Sequence, residues 1–273
     1  MIVGIINGYY RSGTTLMQRL YKLSNPNHIV LCEPTQHEII DFVMSNGCYK
    51  QNVLHGWTIF EDYCKLPREV RHEFIARHFE VFDKDKRQWG IMTDFGAVRY
   101  LLQPLHDCDL PIVIKSCQLH LFLDKLIRWL DCWVVHLVRP APKVIASHFN
   151  PIDLYGSNKA REILLGNKGV VSFYCDAVYE NLTYYLKVDK NKARHNLDKL
   201  VFNILTVNRI ASGFGLVNVV NFKTFIRDPV KEAKYLPFKL NSKVFSYIDL
   251  SKDISPPDWL VKEVMKSIDY LGV

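Results

Sequence analysis

The chain has 273 residues, 48% of them hydrophobic, 12% aromatic and 23% charged, with a formal net charge of +7. This length and composition fit one large domain (residues 1–273) with a full core and exclude disorder over most of the chain. The basic excess suits an anionic ligand, but Lys and Arg are spread along the sequence, which sets nucleic acid aside in favour of a phosphorylated small molecule.

Residues 2–7 form a short apolar run, followed by Gly8-Tyr9-Tyr10-Arg11-Ser12-Gly13. A helical period starts at Thr14, with Leu16, Leu20 and Leu23 on one face, and stops at Asn25-Pro26. Residues 28–32 then read as a second short strand, closed by Glu33-Pro34. Strand, loop, helix and strand make one βαβ unit, which predicts an α/β fold: a P-loop-type three-layer domain with a central parallel sheet flanked by helices. Residues 35–110 mix polar loops with a helical patch at 68–82 and hold Trp57 and Trp89. Further on, 111–115 reads as a buried strand, 119–130 as one amphipathic helix and 132–138 as the strongest strand of the chain. A helix carrying Val144, Ile145 and Ser147 is expected next, then an excursion over 150–195 with a Tyr-rich helical segment. Residues 187–199, the densest in Lys and Arg, read as a solvated helix face or loop. A long helix over 197–212, a strand over 217–222 and a closing helix over 257–271 complete the prediction.

Seven cysteines with no C-x-x-C pair argue against a zinc site and against a secreted disulfide framework. Cys117 and Cys132 sit in apolar runs and are expected to be buried thiols. The first strand begins at Ile2, which leaves no room for a signal peptide, and no apolar run reaches the ~18 uncharged residues of a membrane span. A cytoplasmic location is therefore expected, and the sequon Asn181-Leu182-Thr183 is taken as chance.

Function enters at the first loop. Gly8-x-x-x-x-Gly13-Thr14-Thr15 has the glycine spacing and hydroxyls of G-x-x-x-x-G-K-[ST], in the required place between strand and helix. Backbone N–H groups and the helix N-terminus would hold an anion there. The lysine slot holds Thr14, and the cation stands three residues earlier as Arg11, whose planar fork can hold a phosphate or sulfate in two bonds.

Arg11-Ser12-Gly13-Thr14-Thr15-Leu16-Met17 closely resembles the 5′-phosphosulfate loop of sulfotransferases, above all the tyrosylprotein and bacterial branches. A second match follows: Arg139 at the end of the strongest strand, Ser147 eight residues later, and apolar Val144-Ile145-Ala146 between them. Pro140 departs from the aspartate that usually follows this arginine, and is expected at the first helical position. Ile114-Lys115-Ser116, and Val219-Val220-Asn221-Phe222-Lys223 with Asp228-Pro229, are weaker echoes. The resemblance covers roughly residues 2–150 and 200–271, leaving 35–110 and 150–195 as insertions on the acceptor side.

The resemblance implies transfer of a sulfuryl group from 3′-phosphoadenosine 5′-phosphosulfate to an acceptor hydroxyl or amine, without a metal. Arg11, Ser12, Gly13, Thr14 and Thr15 would bind the 5′-phosphate, Arg139 and Ser147 the 3′-phosphate, and Lys115 would meet the charge on the leaving oxygen. The family's histidine two residues after the lysine is here Cys117, and its glutamate just before the lysine is here Ile114. Glu33 matches the base of other members, unless it caps a helix or pairs with Arg11; His37 and His120 stand in reserve. Two readings compete: a P-loop kinase for a small metabolite, and a non-catalytic nucleotide-binding module descended from a sulfotransferase.

Overall fold

The computed structural model describes residues 1–36, 39–44, 53–54, 57–58, 60–82, 90–166, 173–248 and 255–273. Ile2–Gly8 forms β1, Thr14–Ser24 forms α1 and Ile29–Cys32 forms β2. There follow α2 (Ile39–Met44), a two-residue ribbon of β3 (Val53–Leu54) and β4 (Trp57–Thr58), α3 (Arg68–Val81), α4 (Phe95–His106) and β5 (Ile112–Ser116). The second half contains α5 (Leu123–Leu130), β6 (Trp133–Val138), α6 (Ala141–Ala146), α7 (Lys159–Leu165), α8 (Phe173–Leu186) and α9 (Asn196–Ser212). It closes with β7 (Asn218–Asn221), α10 (Phe222–Arg227), α11 (Pro229–Glu232) and α12 (Asp258–Leu271).

Five strands pair in the order β2-β5-β1-β6-β7, and every pairing among them is parallel. The apolar runs of β1, β5 and β6 are those of strands buried on both faces. Ile5 stands beside Ile114 and Val134 on one face, where α4, α5, α8 and α9 bring Leu101, Leu126, Val178 and Leu200. On the other face Ile6, Val113 and Val135 meet Met17 and Leu20 of α1 and Phe225 of α10. The result is the expected three-layer α/β arrangement. α1 ends where Asn25 N–H turns back to Tyr21 O at 2.9 Å and Pro26 blocks continuation.

Within the stretch 35–110, unread beyond its helical patch, the 3-10 turn at Glu61–Lys65 lies against the edge strand β2. Buried Asp62 accepts from the Val30 amide at 2.8 Å and pairs with Lys22 at 2.6 Å, so an edge strand's outward N–H is satisfied and joined to α1. Trp89 lies outside the described residues. Asn181 of the sequon lies on α8, where its Oδ1 accepts from Ile91 N at 3.2 Å.

Three expectations change. The helix over 119–130 is split into a 3-10 turn at His120–Phe122 and α5, because His120 is held inward by Asn7 at 2.9 Å and Phe122 leaves helical geometry. Asp198, expected on a solvated stretch, is fully buried and ion-paired with Arg194 at 2.9 Å. Pro140 precedes the first helical residue of α6, and its carbonyl accepts from Lys143 and Val144. The cysteines among the described residues are free thiols, with Cys117 and Cys132 buried; Cys48 lies outside the described residues. Among the described residues no helix is long and apolar enough to cross a membrane.

β1 and β6 approach closely at Gly4, where a Cβ would stand 2.1 Å from the Trp133 indole. Gly4→Ala is therefore expected to cost about 1–3 kcal/mol through forced repacking. Urea unfolding would read the loss as a lower midpoint, and an unchanged midpoint would contradict the packing described for these strands.

Candidate functional site

The chain leaves β1 for β2 on one side and reaches β6 and β7 on the other. A crevice in such a sheet lies beyond the carboxyl ends of the strands where the order reverses, here at β1. The loop from Gly8 to Gly13 lies there. Ser12 N–H bonds Tyr9 O at 3.0 Å, Arg11 takes a left-handed φ of 66° and Gly13 a φ of 101°. A side chain at position 13 would be strained by that φ, and its Cβ would stand 2.3 Å from the Phe222 ring.

Gly13 caps α1 without a side-chain hydrogen bond, and no acidic residue occupies the first turn. The leading N–H groups of an eleven-residue helix thus point out with their partial positive charge uncancelled. Ser12 Oγ is buried beside them with no partner among the described residues. Thr14, in the lysine slot, is buried, with Oγ1 3.7 Å from Cys117 Sγ, and Thr15 is half-buried. These features fit a bound phosphate.

Arg139, 8% exposed at the end of β6, donates from Nη1 to Arg11 O at 3.0 Å. Its guanidinium lies 5.9 Å from the centre of the Phe222 ring, which also backs Gly13. The two predicted anion-binding segments are therefore in contact. Ser147 was expected inside the following helix. It stands instead at its C-terminal end, where Oγ donates to Val144 O at 2.7 Å.

Glu33 and Lys115 close the opposite side. They lie at the ends of neighbouring strands, 5% and 6% exposed, and form an ion pair between Glu33 Oε1 and Lys115 Nζ. Glu33 Oε2 accepts from Cys117 N at 2.8 Å, and Glu33 itself has a left-handed φ of 51°. The sequence alternatives of a helix cap or an Arg11 pair give way to this partner. Burial pulls the Lys115 ammonium down, while Cys117, Cys32 and Glu33, when ionised, pull it up, and the net position is well above the usual lysine value. Burial pushes the Cys32 thiol up to about 12 and the Cys117 thiol up as well, so at neutral pH both remain thiols, and the ion-pair partner of Lys115 is Glu33.

His120 is 0% exposed and its Nδ1 is engaged, so it has no path to an outside acceptor. Asn7 Nδ2 donates to Nδ1 of both His120 and His136, at 2.9 and 2.8 Å, which leaves the proton of each ring on Nε2. His136 Nε2 then donates to Asn208 Oδ1 at 3.1 Å. His37, the other reserve base, lies outside the described residues. The packing of Phe222 against Gly13 and Arg139, and the Asn7 network, were missed in the sequence. A signal for the second existed, since Asn7 and His136 are polar residues within apolar strands.

Removing one member of a buried ion pair leaves an uncompensated charge and costs about 3–5 kcal/mol. Lys115→Met is expected to lose stability on that scale at neutral pH, and adding Glu33→Gln should recover most of it. Chemical unfolding of both variants checks the coupling; strictly additive losses would contradict it.

No family model matches the chain. A curated protein of Archaeoglobus fulgidus, described as uncharacterized, is 28% identical over 169 residues, which is 61% of this chain and 51% of that protein. The chain thus spans about half the length of this relative. Among solved structures, the sulfotransferase domain from the Synechococcus PCC 7002 olefin synthase is similar at 13% identity and a TM-score of 0.41, covering 100% of this chain and 95% of its own.

Proposed function

We propose that the chain is a sulfotransferase that takes a sulfuryl group from 3′-phosphoadenosine 5′-phosphosulfate and passes it to an acceptor hydroxyl or amine. The observation that carries this reading is the contact between the loop after β1 and the arginine at the end of β6, through Arg139 Nη1 and Arg11 O at 3.0 Å. Two anion-binding segments side by side suit a nucleotide with phosphates at both its 5′ and 3′ positions. A triphosphate would ask for the loop lysine, and that slot holds buried Thr14.

The nucleotide supplies the sulfuryl group and, in its 5′-phosphate, a leaving group that gains negative charge. In this reading Arg11, Ser12, Thr14, Thr15 and the first-turn N–H groups of α1 hold the 5′-phosphate, with Gly13 giving the backbone its turn. Arg139 belongs to the 3′-phosphate. Lys115 remains an ammonium at neutral pH and is the donor for the developing charge; one such oriented donor is worth about 2.7–4 kcal/mol of barrier. Glu33 takes the acceptor proton. Both its oxygens are already hydrogen-bonded, to Lys115 and to Cys117 N, but each keeps a second lone pair. Movement of Lys115 toward the leaving oxygen would free Glu33 Oε1 to receive the acceptor proton.

Glu33→Gln is expected to bind adenosine 3′,5′-bisphosphate as the parent does and to lose about 10²–10⁴-fold in transfer to an active acceptor. Arg139→Ala is expected to weaken the bisphosphate while the circular dichroism spectrum stays unchanged. Undiminished transfer in the first variant would move the base elsewhere. Undiminished affinity in the second would overturn the assignment of the 3′-phosphate.

A further inference from the structure

Ser147 and His148 follow one another where α6 ends, and they differ in what they can offer an anion. The Ser147 hydroxyl spends its only hydrogen on Val144 O at 2.7 Å, so it keeps lone pairs for donors but no proton to give. His148 Nε2 is the opposite case. It is buried, and among the described residues it has no hydrogen-bond partner. A buried polar atom left in that state costs about 1–3 kcal/mol, a cost that a ligand atom would remove.

The charged group nearest in effect to His148 is the Arg11 guanidinium. Burial first, and the Arg11 guanidinium second, pull its imidazole down to about 4, so at neutral pH the ring is uncharged and carries one N–H. Arg11 in turn is joined to Arg139 through its carbonyl. A second fixed cation beside Arg11 would be repelled whenever no anion is present. A neutral imidazole supplies a donor without that repulsion.

We propose that His148 Nε2–H is a donor to the 3′-phosphate of the bound nucleotide and that it, rather than the Ser147 hydroxyl, completes the grip begun by Arg139. The proposal rests on the sulfotransferase reading of this site. The ligand it selects is an adenosine bisphosphate over the same nucleotide without a 3′-phosphate.

Titration calorimetry with adenosine 3′,5′-bisphosphate and with adenosine 5′-phosphate separates the two claims. His148→Phe keeps a ring and removes the donor. It is expected to weaken the bisphosphate about tenfold, the scale of a hydrogen bond to a charged group, and to leave the 5′-phosphate unchanged. His148→Gln, which restores an N–H at similar reach, should recover most of the loss. If His148→Phe fails to fold, His148→Asn gives the same comparison, because its amide is too short. Equal losses for both ligands, or no loss for the bisphosphate, would overturn the role of His148. A parent protein with no preference for the bisphosphate would overturn the underlying reading, and this inference with it.

Discussion

Lys115 and Glu33 bring two opposite charges out of water at the ends of adjacent strands, and the carboxyl edge of the sheet is arranged around that pair. Taking such ions from water costs several kcal/mol each, and mutual attraction repays this only with further hydrogen bonds in place. Here Glu33 is fixed by its own left-handed backbone and by Cys117 N. Cys117 in turn touches Thr14 at the head of α1, so the pair reaches the phosphate loop through one side chain. Apolar pairs of similar volume often hold neighbouring strands as well as a buried ion pair does, which accords with the chemical role proposed for these charges.

A second polar cluster lies within the same sheet. Asn7, immediately before the loop, is joined to His120 and His136 and through His136 to Asn208 on α9. Burial drives His136 down to about 4 and His120 well below its ordinary value, so both rings stay neutral and their tautomers are fixed by Asn7. The last turn of β1 into the loop is thereby registered against β6 and α9 by directional bonds, where apolar packing alone would permit small shifts.

The fold was legible because its strands are apolar runs and its first βαβ unit sits between clear stop signals, Gly8 to Gly13 and Asn25-Pro26. The loop after β1 could be named from its glycine spacing and Arg139 from the resemblance to sulfotransferases, and the fold brings these two segments into contact. What could not be read is what spacing does not encode. The partner of Glu33 comes from a strand 82 positions away. The split at Phe122 follows from a hydrogen bond made by His120 to a distant asparagine. Ser147 falls at the end of its helix and not inside it, and it turns its hydroxyl back to that helix, because a C-terminal carbonyl within reach competes for a short side chain. In 35–110 the capping of an edge strand by Asp62 is done by a single polar side chain, which leaves no periodic signal.

The most direct test of the nucleotide assignment is thermal unfolding of the protein with adenosine 3′,5′-bisphosphate, with adenosine 5′-phosphate, and with ATP plus Mg²⁺. At about 100 times the dissociation constant a ligand adds roughly 2.7 kcal/mol, a rise of several degrees for a chain of this size. The expected result is a clear rise with the bisphosphate and smaller rises with the other two. A rise confined to ATP plus Mg²⁺, or no rise with any of the three, would contradict the sulfotransferase assignment.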